Sequence, residues 1–369
     1  MKRITGIYEK LGDLEYFIPQ SLPPIEPPLE INTELLQLYG KTMLELGKLN
    51  EISKRIPDID RFVNAYVKKE AMLSSEIENI HTTLIEMYSN QYDSTIDKDT
   101  QLVLNYINAI NNATQLLDTL PISNRIILKS HEILMGETSN TSGPGMYREQ
   151  TVRVGNLVPP PAKAIHRLMS EWEQFIHTQG GLPDLIKNGL AHVQFETIHP
   201  FLDGNGRMGR LLIVLMLIES GLLKLPIIYP SYYFKKNKLQ YYAALDRVRT
   251  HGDFEGWIYF FLEAIYYSAH DALERAHEIE LLEQKLEAII NNKYTKKNCY
   301  SLIQALQVIF KNPIINVSQL ATHLEKSYNA TTKLIHQLIE LDILQEHTRQ
   351  KRNKLYIFSA YLNILNKEY

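Results

Sequence analysis

The chain has 369 residues, enough for two or three units at roughly 100–200 residues each. Its 44% hydrophobic and 22% charged residues exclude a disordered, collagenous or fibrous chain, and a formal charge of −3 excludes a polycation built as a whole for nucleic acid. One cysteine, Cys299, excludes a disulfide framework and cysteine zinc clusters and fits a reducing compartment.

The start, MKRITGIYEKLGDLEYF, lacks an apolar core of signal-peptide length. The longest apolar run, Leu211 to Ile218, is eight residues, far short of the ~20 a membrane span requires. A soluble cytoplasmic protein without a membrane partner is expected. Residues 19–30 hold five prolines in twelve positions and read as an extended tether. Leu35, Leu36, Leu38, Met43, Leu44 and Leu46 recur at helical steps, as do Phe62, Val63, Tyr66, Val67, Met72, Leu73 and Ile77. Residues 92–100 read as a loop, and 137–148 concentrate turn formers. TVRVGNLV (151–158) alternates like a hairpin arm and is closed by Pro159, Pro160 and Pro161. Helical patterns then dominate to about residue 290, and 275–290 looks like a charged connector. From Lys293 to Tyr369 there are eleven Lys or Arg against five Asp or Glu, so this tail is basic.

The strongest signal is HPFLDGNGRMGR, residues 199–210. Ile198 ends an apolar-periodic helix through Leu185, Ile186, Leu190, Val193 and Phe195. Pro200 cannot continue it, so His199 sits at a helix end. Gly204, Asn205 and Gly206 permit positive φ and close approach to main-chain N–H groups. A new helix is expected from about Arg207, and its N-terminus favours anions. Arg207 and Arg210, three apart, offer two guanidinium forks. One carboxylate, Asp203, together with phosphate oxygens suits Mg²⁺. His199 is the only group in the string that takes a proton near neutral pH. Each of these features alone is commonplace. In this order within twelve residues they amount to a phosphoryl- or nucleotidyl-transfer site. No GxxxxGK(S/T) loop occurs, no strand precedes the glycines, and His192 and His199 lack zinc-site spacing.

This string resembles the signature of Fic-domain proteins, HPFx(D/E)GNGRxxR, at every fixed position. The resemblance implies a mostly α fold: a Fic-type helical core with a small β-hairpin flap, an N-terminal helical region and a C-terminal winged helix-turn-helix. It places the helical region at 1–110, the core at 111–290 and the winged helix at 291–369. It implies a nucleotidyltransferase that moves AMP from ATP, with Mg²⁺, to a hydroxyl of a target protein or of itself. His199 would be the base, Asp203 the Mg²⁺ ligand, and Gly204, Asn205 and Gly206 the anion hole. Arg207 and Arg210 would bind the phosphates, with Met208 and Gly209 in the same ATP-binding stretch. Residues 74–79, SSEIEN, resemble the family's inhibitory motif (S/T)xxxE(G/N). Ser74, Glu78 and Asn79 would form it, with Glu78 occupying Arg210. Tyr147 to Gly155 resembles the flap, and Tyr241 and Tyr242 resemble the region bordering adenine.

Trp257 reads as core. Residues 296–369 resemble a winged helix, with Ser318 as N-cap and with Ala321 and Leu324 against Leu334, Ile335 and Leu338. Arg349, Lys351, Arg352 and Lys354 suit the wing. DNA is one expected partner of this tail, and a protein or a second copy in a homodimer is another. Two alternatives stand beside the transferase: a DNA-binding regulator with a nucleotide-sensing Fic core, and a Fic enzyme that removes AMP or uses another phosphate donor.

Overall fold

The computed structural model describes residues 3–55, 58–92, 96–136, 143–347 and 354–367. They divide into two units. The first lies within Met1–Pro57, Tyr66–His81 and Gln101–Ala272, and the second within Asp58–Ala65, Thr82–Thr100 and Leu273–Tyr369. Among the described residues no helix is long and apolar enough to cross a membrane.

The first unit opens with a hairpin, β1 (Gly6–Leu11) and β2 (Leu14–Pro19), paired from Gly6↔Pro19 to Leu11↔Leu14. It lies where only helix is expected. Its cue is the Gly12-Asp13 turn, where Gly12 takes a φ of 62°, as a two-residue hairpin loop requires. Beyond Pro19 the proline segment holds no helix or regular strand, as expected. It is tied down rather than loose: Pro27 and Pro28 carbonyls accept from Arg3, and the Gln20 carbonyl accepts from Gln194 Nε2.

The two apolar periodicities become α1 (Thr33–Arg55) and α2 (Ile59–Ile77), although Leu36 and Leu44 of α1 face outward. A short α3 (Leu84–Ser89) begins in a Thr83 capping box, and α4 (Lys98–Leu117) follows. Next come α5 (Asn124–Met135), α6 (Ala162–His177), α7 (Asp184–Ile198) and α8 (Asn205–Glu219). Then follow α9 (Ser231–Lys236), α10 (Lys238–His251) and α11 (Phe254–Lys293), so the expected connector is the last part of one long helix. Of the expected 137–148 turn region, 137–142 lie outside the described residues. The hairpin near 151–158 is short: Val154 and Leu157 exchange main-chain bonds of 2.9 and 3.0 Å around Gly155-Asn156. Pro159, Pro160 and Pro161 have no N–H with which to extend a ladder.

The core of this unit is α7, buried at every residue from Leu185 to Ile198. A helix buried on every side has to be wrapped by others. Trp172 of α6 donates its indole N–H to Ala191 O at 2.8 Å, and Trp257 of α11 to Gly189 O at 2.7 Å. Trp257 is core, as expected. A Cβ at Gly189 would come within 2.9 Å of Ile258 and Phe261, so glycine there lets α11 approach closely.

His192 links α7 to α8 and α10. Its Nδ1 faces Gly209 O at 3.1 Å and therefore carries the proton, while Nε2 accepts the Tyr241 hydroxyl at 2.8 Å. Burial pushes its pKa down to about 3, so the ring is neutral. One turn on, Glu196 is buried; among the described residues its Oε1 has no hydrogen-bond partner, and a Cβ on Gly209 would meet that oxygen at 2.3 Å.

In the second unit, the last part of α11 is followed by α12 (Lys296–Lys311), β3 (Ile314–Asn316), α13 (Val317–Leu324) and α14 (Tyr328–Glu340). Then come β4 (Gln345–Glu346), β5 (Leu355–Ile357) and α15 (Ser359–Asn366), the strands ordered β3-β5-β4 and antiparallel. Ala321, Leu334, Ile335 and Leu338 are buried, and Leu324 is half-buried. The N-cap of α13 is Asn316, not Ser318. Asn316 has extended backbone, and its Oδ1 accepts Gln319 N–H at 2.8 Å, which puts Ser318 inside the helix. Arg349, Lys351 and Arg352 lie outside the described residues, and Lys354 pairs with Glu346 at 2.9 Å.

Glu196 sets a pH dependence of stability. Burial raises its carboxyl to about 7, against the pull of Arg210. A raised carboxyl favours the fold where it is protonated; that contribution is complete below the ordinary carboxylate value and is lost as pH rises through about 7. Glu196→Gln therefore flattens the decline in stability between about pH 5 and pH 8. Urea midpoints of both forms at the two ends of that range check it, and an unchanged slope refutes it.

Candidate active site

The signature joins the end of α7 to the start of α8. His199 caps α7 in the left-handed region, with φ 51° and ψ 61°, and its N–H donates to Phe195 O at 2.9 Å. Such backbone is uncommon for a residue with a Cβ. Among the described residues the ring's Nδ1 is buried without a hydrogen-bond partner. Burial pushes the His199 pKa down to about 4; Glu196's carbonyl and Glu78 oppose the shift, and Arg148 and Arg249 add to it. The imidazole is thus neutral, with a lone pair to offer, at physiological pH.

Asn205 closes the loop. Its Oδ1 accepts Phe201 N–H and its Nδ2 donates to Phe201 O, both at 2.8 Å. Gly204, at φ 77°, turns the chain into α8, which begins at Asn205 rather than near Arg207. The amides of Asn205, Gly206 and Arg207 precede the first helical bond, Met208 N–H to Gly204 O. This is an anion-favouring helix end. Asp203 is exposed beside it, and its Oδ1 accepts Gly204 N–H at 2.6 Å. A cleft of about 250 Å³ opens there, lined by Asp203, Leu202, His131, Met135, Tyr147 and Arg148 among others.

The two arginines differ sharply. Arg207 is buried, and its Nη2 touches Met135 Sδ at 3.6 Å. Its Nε and Nη1 are buried, with no hydrogen-bond partner among the described residues. Buried guanidinium nitrogens without acceptors mark a place for an anion. Arg210 is paired instead. Its Nε donates to Ser74 Oγ at 2.8 Å, and its Nη2 to Ser74 O at 2.9 Å and Glu78 Oε1 at 2.8 Å. Met208 points into the core, and Gly209 lies under Glu196.

Glu70, Ser74 and Glu78 recur every four residues, so they share one face of α2 and its terminal turn. Glu70 anchors that face. It accepts the Tyr106 hydroxyl at 3.2 Å, Ser231 N–H at 3.1 Å and the Ser231 hydroxyl at 2.5 Å. Burial raises its carboxyl to about 7. At Glu78 burial also pushes upward, but Arg210, aided by Arg207 and Lys238, holds the carboxyl below its usual value. Asn79 follows at φ 59°, a left-handed helix cap that glycine or asparagine accepts best. Lys238 Nζ donates to Asn79 Oδ1 at 3.5 Å, and Lys235 pairs with Glu76 at 2.5 Å. A Cβ on Gly206 would sit 2.3 Å from Glu78 Oε1, so that carboxylate lies on the first turn of α8.

Tyr241 is buried with its hydroxyl committed to His192, whereas Tyr242 is 41% exposed. Three site residues gave no signal in sequence. Glu70 anchors α2. His131 accepts Gly145 N–H at Nδ1 (3.0 Å), donates from Nε2 to Asp203 O (3.0 Å) and stacks on Phe201. Arg148 grips the loop's main chain. Their partners lie far off in sequence, and no local spacing betrays them.

Residues 121–217 match the sequence model described as Fic/DOC family, and residues 36–115 match Fic/DOC family N-terminal. Relatives named Protein adenylyltransferase Fic include those of Drosophila grimshawi and Drosophila erecta, 33% and 32% identical over 161 residues. That stretch is 43% of this chain and 31% and 30% of theirs, so the chain spans about a third of the length of these curated relatives. A Fic family protein from Desulfovibrio desulfuricans G20 shares the fold at a TM-score of 0.58 and 21% identity, over 90% of this chain and 97% of that one. A Fic domain containing signaling protein from Bacteroides thetaiotaomicron VPI-5482 does so at 0.52 and 17%, over 66% and 97%. The chain carries a Fic domain of the Fic/DOC family, preceded by that family's N-terminal domain.

Proposed function

We propose that the protein is a protein adenylyltransferase, held quiet by its own Glu78. The observation that carries this is the Arg210–Glu78 ion pair at 2.8 Å, set on the first turn of the signature helix. Beside it lie the helix-start amides and Arg207 nitrogens that have no hydrogen-bond partner among the described residues, a set that suits a polyphosphate. His199 accepts the proton of a serine, threonine or tyrosine hydroxyl of a target protein. The hydroxyl oxygen then bonds to the α-phosphorus of ATP, and the bond to the bridging oxygen breaks, releasing pyrophosphate. Arg207 and the amides stabilise the charge of that leaving group.

Asp203 fits Mg²⁺, since its carboxylate is exposed and phosphate oxygens and water complete such a shell. The ion would offset phosphate charge. Tyr242, with its exposed ring, is the better placed of the two tyrosines for stacking on adenine. Glu78 blocks productive binding because Arg210 cannot serve its carboxylate and the γ-phosphate together.

With α-labelled ATP and Mg²⁺, the unaltered protein labels itself or lysate proteins weakly, and Glu78→Gly labels more strongly. In the Glu78→Gly background, His199→Ala lowers transfer by about 10²–10⁴-fold while ATP binding persists. No gain in Glu78→Gly defeats the inhibitory reading, and full transfer without His199 defeats the base assignment.

We also read the order α12-β3-α13-α14-β4-β5 as a winged helix-turn-helix. Its second helix, α14, exposes Asn329, Lys333 and His336, groups that suit phosphate and base edges. Gel shifts with genomic fragments at low and high salt decide between DNA and protein partners. A preferred fragment whose affinity falls steeply with salt supports DNA, and uniform weak binding supports a protein-interaction module.

A further inference from the structure

Arg148 lies outside the signature, yet it grips its first residues. The side chain is buried, and its nitrogens go to main-chain carbonyls. Nε donates to His199 O at 2.8 Å, Nη1 to Gln150 O at 3.0 Å, and Nη2 to Pro160 O at 2.8 Å and Ile198 O at 3.4 Å. Its own N–H donates to Pro200 O at 2.9 Å. Three consecutive carbonyls, Ile198, His199 and Pro200, thus converge on one residue. Among the described residues Arg148 makes no ion pair with a carboxylate, and burial pushes its pKa down to about 10. A buried cation without a counter-charge is costly, so the chain keeps it at the expense of stability.

We propose that Arg148 is the positioning residue for the His199 imidazole: by holding the His199 carbonyl it fixes the left-handed backbone from which the ring projects. Backbone at φ 51° is costly for a residue with a Cβ, a cost that its neighbours must offset. The direction of Cα–Cβ follows from that backbone, and the ring follows Cα–Cβ. A small error there is amplified at the reacting atoms. Lysine cannot replace this fork, because it has no fixed planar set of donors.

Charge adds a second effect on the same ring. The groups that act on His199 are the Glu196 carbonyl and Glu78, which favour its protonation, and Arg148 and Arg249, which oppose it. Arg148 thereby helps keep the ring neutral.

The inference rests on His199 acting as base, so the test separates the two. In a Glu78→Gly parent, Arg148→Lys lowers kcat for AMP transfer by about 10–100-fold with the KM for ATP unchanged, because the cation remains and the fork is lost. Arg148→Gln lowers kcat and also moves the acid limb of the rate profile to higher pH, because a repelling charge is gone. A purely structural role would not split the variants by pH. If both variants keep the parent kcat, or if the loss falls on ATP affinity, the proposal is overturned.

If the parent transfers no AMP, the functional reading fails, and the imidazole itself decides the fate of Arg148. With ¹³C-labelled histidine rings, and His199 assigned by His199→Ala, the His199 resonance shifts and titrates higher in Arg148→Gln than in the unaltered protein. An unmoved resonance overturns the proposal. Arg148→Lys retains the buried cation and stands in should Arg148→Gln fail to fold. Its lost fork shifts the His199 resonance, and a resonance left in place again overturns the proposal.

Discussion

A guanidinium sealed from water must have its charge answered, and the answer at Arg210 organises the site. Three carboxyls surround it: Glu78, Glu70 and Glu196. Only Glu78 sits below the ordinary carboxylate value; burial lifts the other two to about 7. The difference is contact as well as water: Glu78 alone of the three accepts a hydrogen bond from Arg210, and its side chain is 37% exposed while the other two are sealed. Desolvation falls hardest on a sealed anion, so the positive charge goes to the carboxylate at the rim. Ser74 takes Nε at its hydroxyl and a second Nη2 bond at its carbonyl. Losing one partner of such a buried ion costs about 3–5 kcal/mol. The docking of α2 against α8 therefore rests on electrostatics.

The loop between α7 and α8 solves a different problem. It must present amides and an imidazole while its own main chain stays satisfied. Asn205 clips Phe201 at both main-chain groups, His131 holds Asp203 O, and Arg148 gathers the carbonyls on either side of His199. Two left-handed residues, His199 and Gly204, then reverse the chain within six positions. Strain at His199 is tolerable because so much surrounds it. The polar groups left after the loop has stabilised itself are the exposed Asp203 carboxylate, the helix-start amides and the buried nitrogens of Arg207.

How much of this was legible depended on whether the cause was local. HPFLDGNGRMGR announced its own turn, helix start and charges, because those follow from residues within a few positions of each other. Glu78 was legible through its spacing from Ser74 and through Asn79, whose left-handed backbone explains why the motif ends in glycine or asparagine. Tyr241 and Tyr242 were indistinguishable in sequence; only packing shows that one gives its hydroxyl to His192 while the other meets solvent. The β1–β2 hairpin was readable from Gly12-Asp13 but was eclipsed by the helical mass downstream. Ser318 and Asn316 compete for the same cap, and the choice turns on backbone geometry rather than composition. Arg148, His131 and Glu70 each act on at least one partner 36 to 161 residues away, so no short window of sequence reveals that role.

On the proposed reading, activation is the exchange of one anion for another at Arg210. A γ-phosphate that replaced the Glu78 carboxylate would leave the guanidinium paired, so the protein need not expose a naked buried cation along the way. Glu78 is already more than a third exposed and stands on a turn that ends its helix, so it can move into water without unfolding α2. Ser74 and Glu70, one and two turns back, remain to hold the helix. The energy of the switch is then a difference between two ion pairs rather than the whole of either. A difference of that kind is small enough for a partner that touches only the Asn79 turn to reverse it.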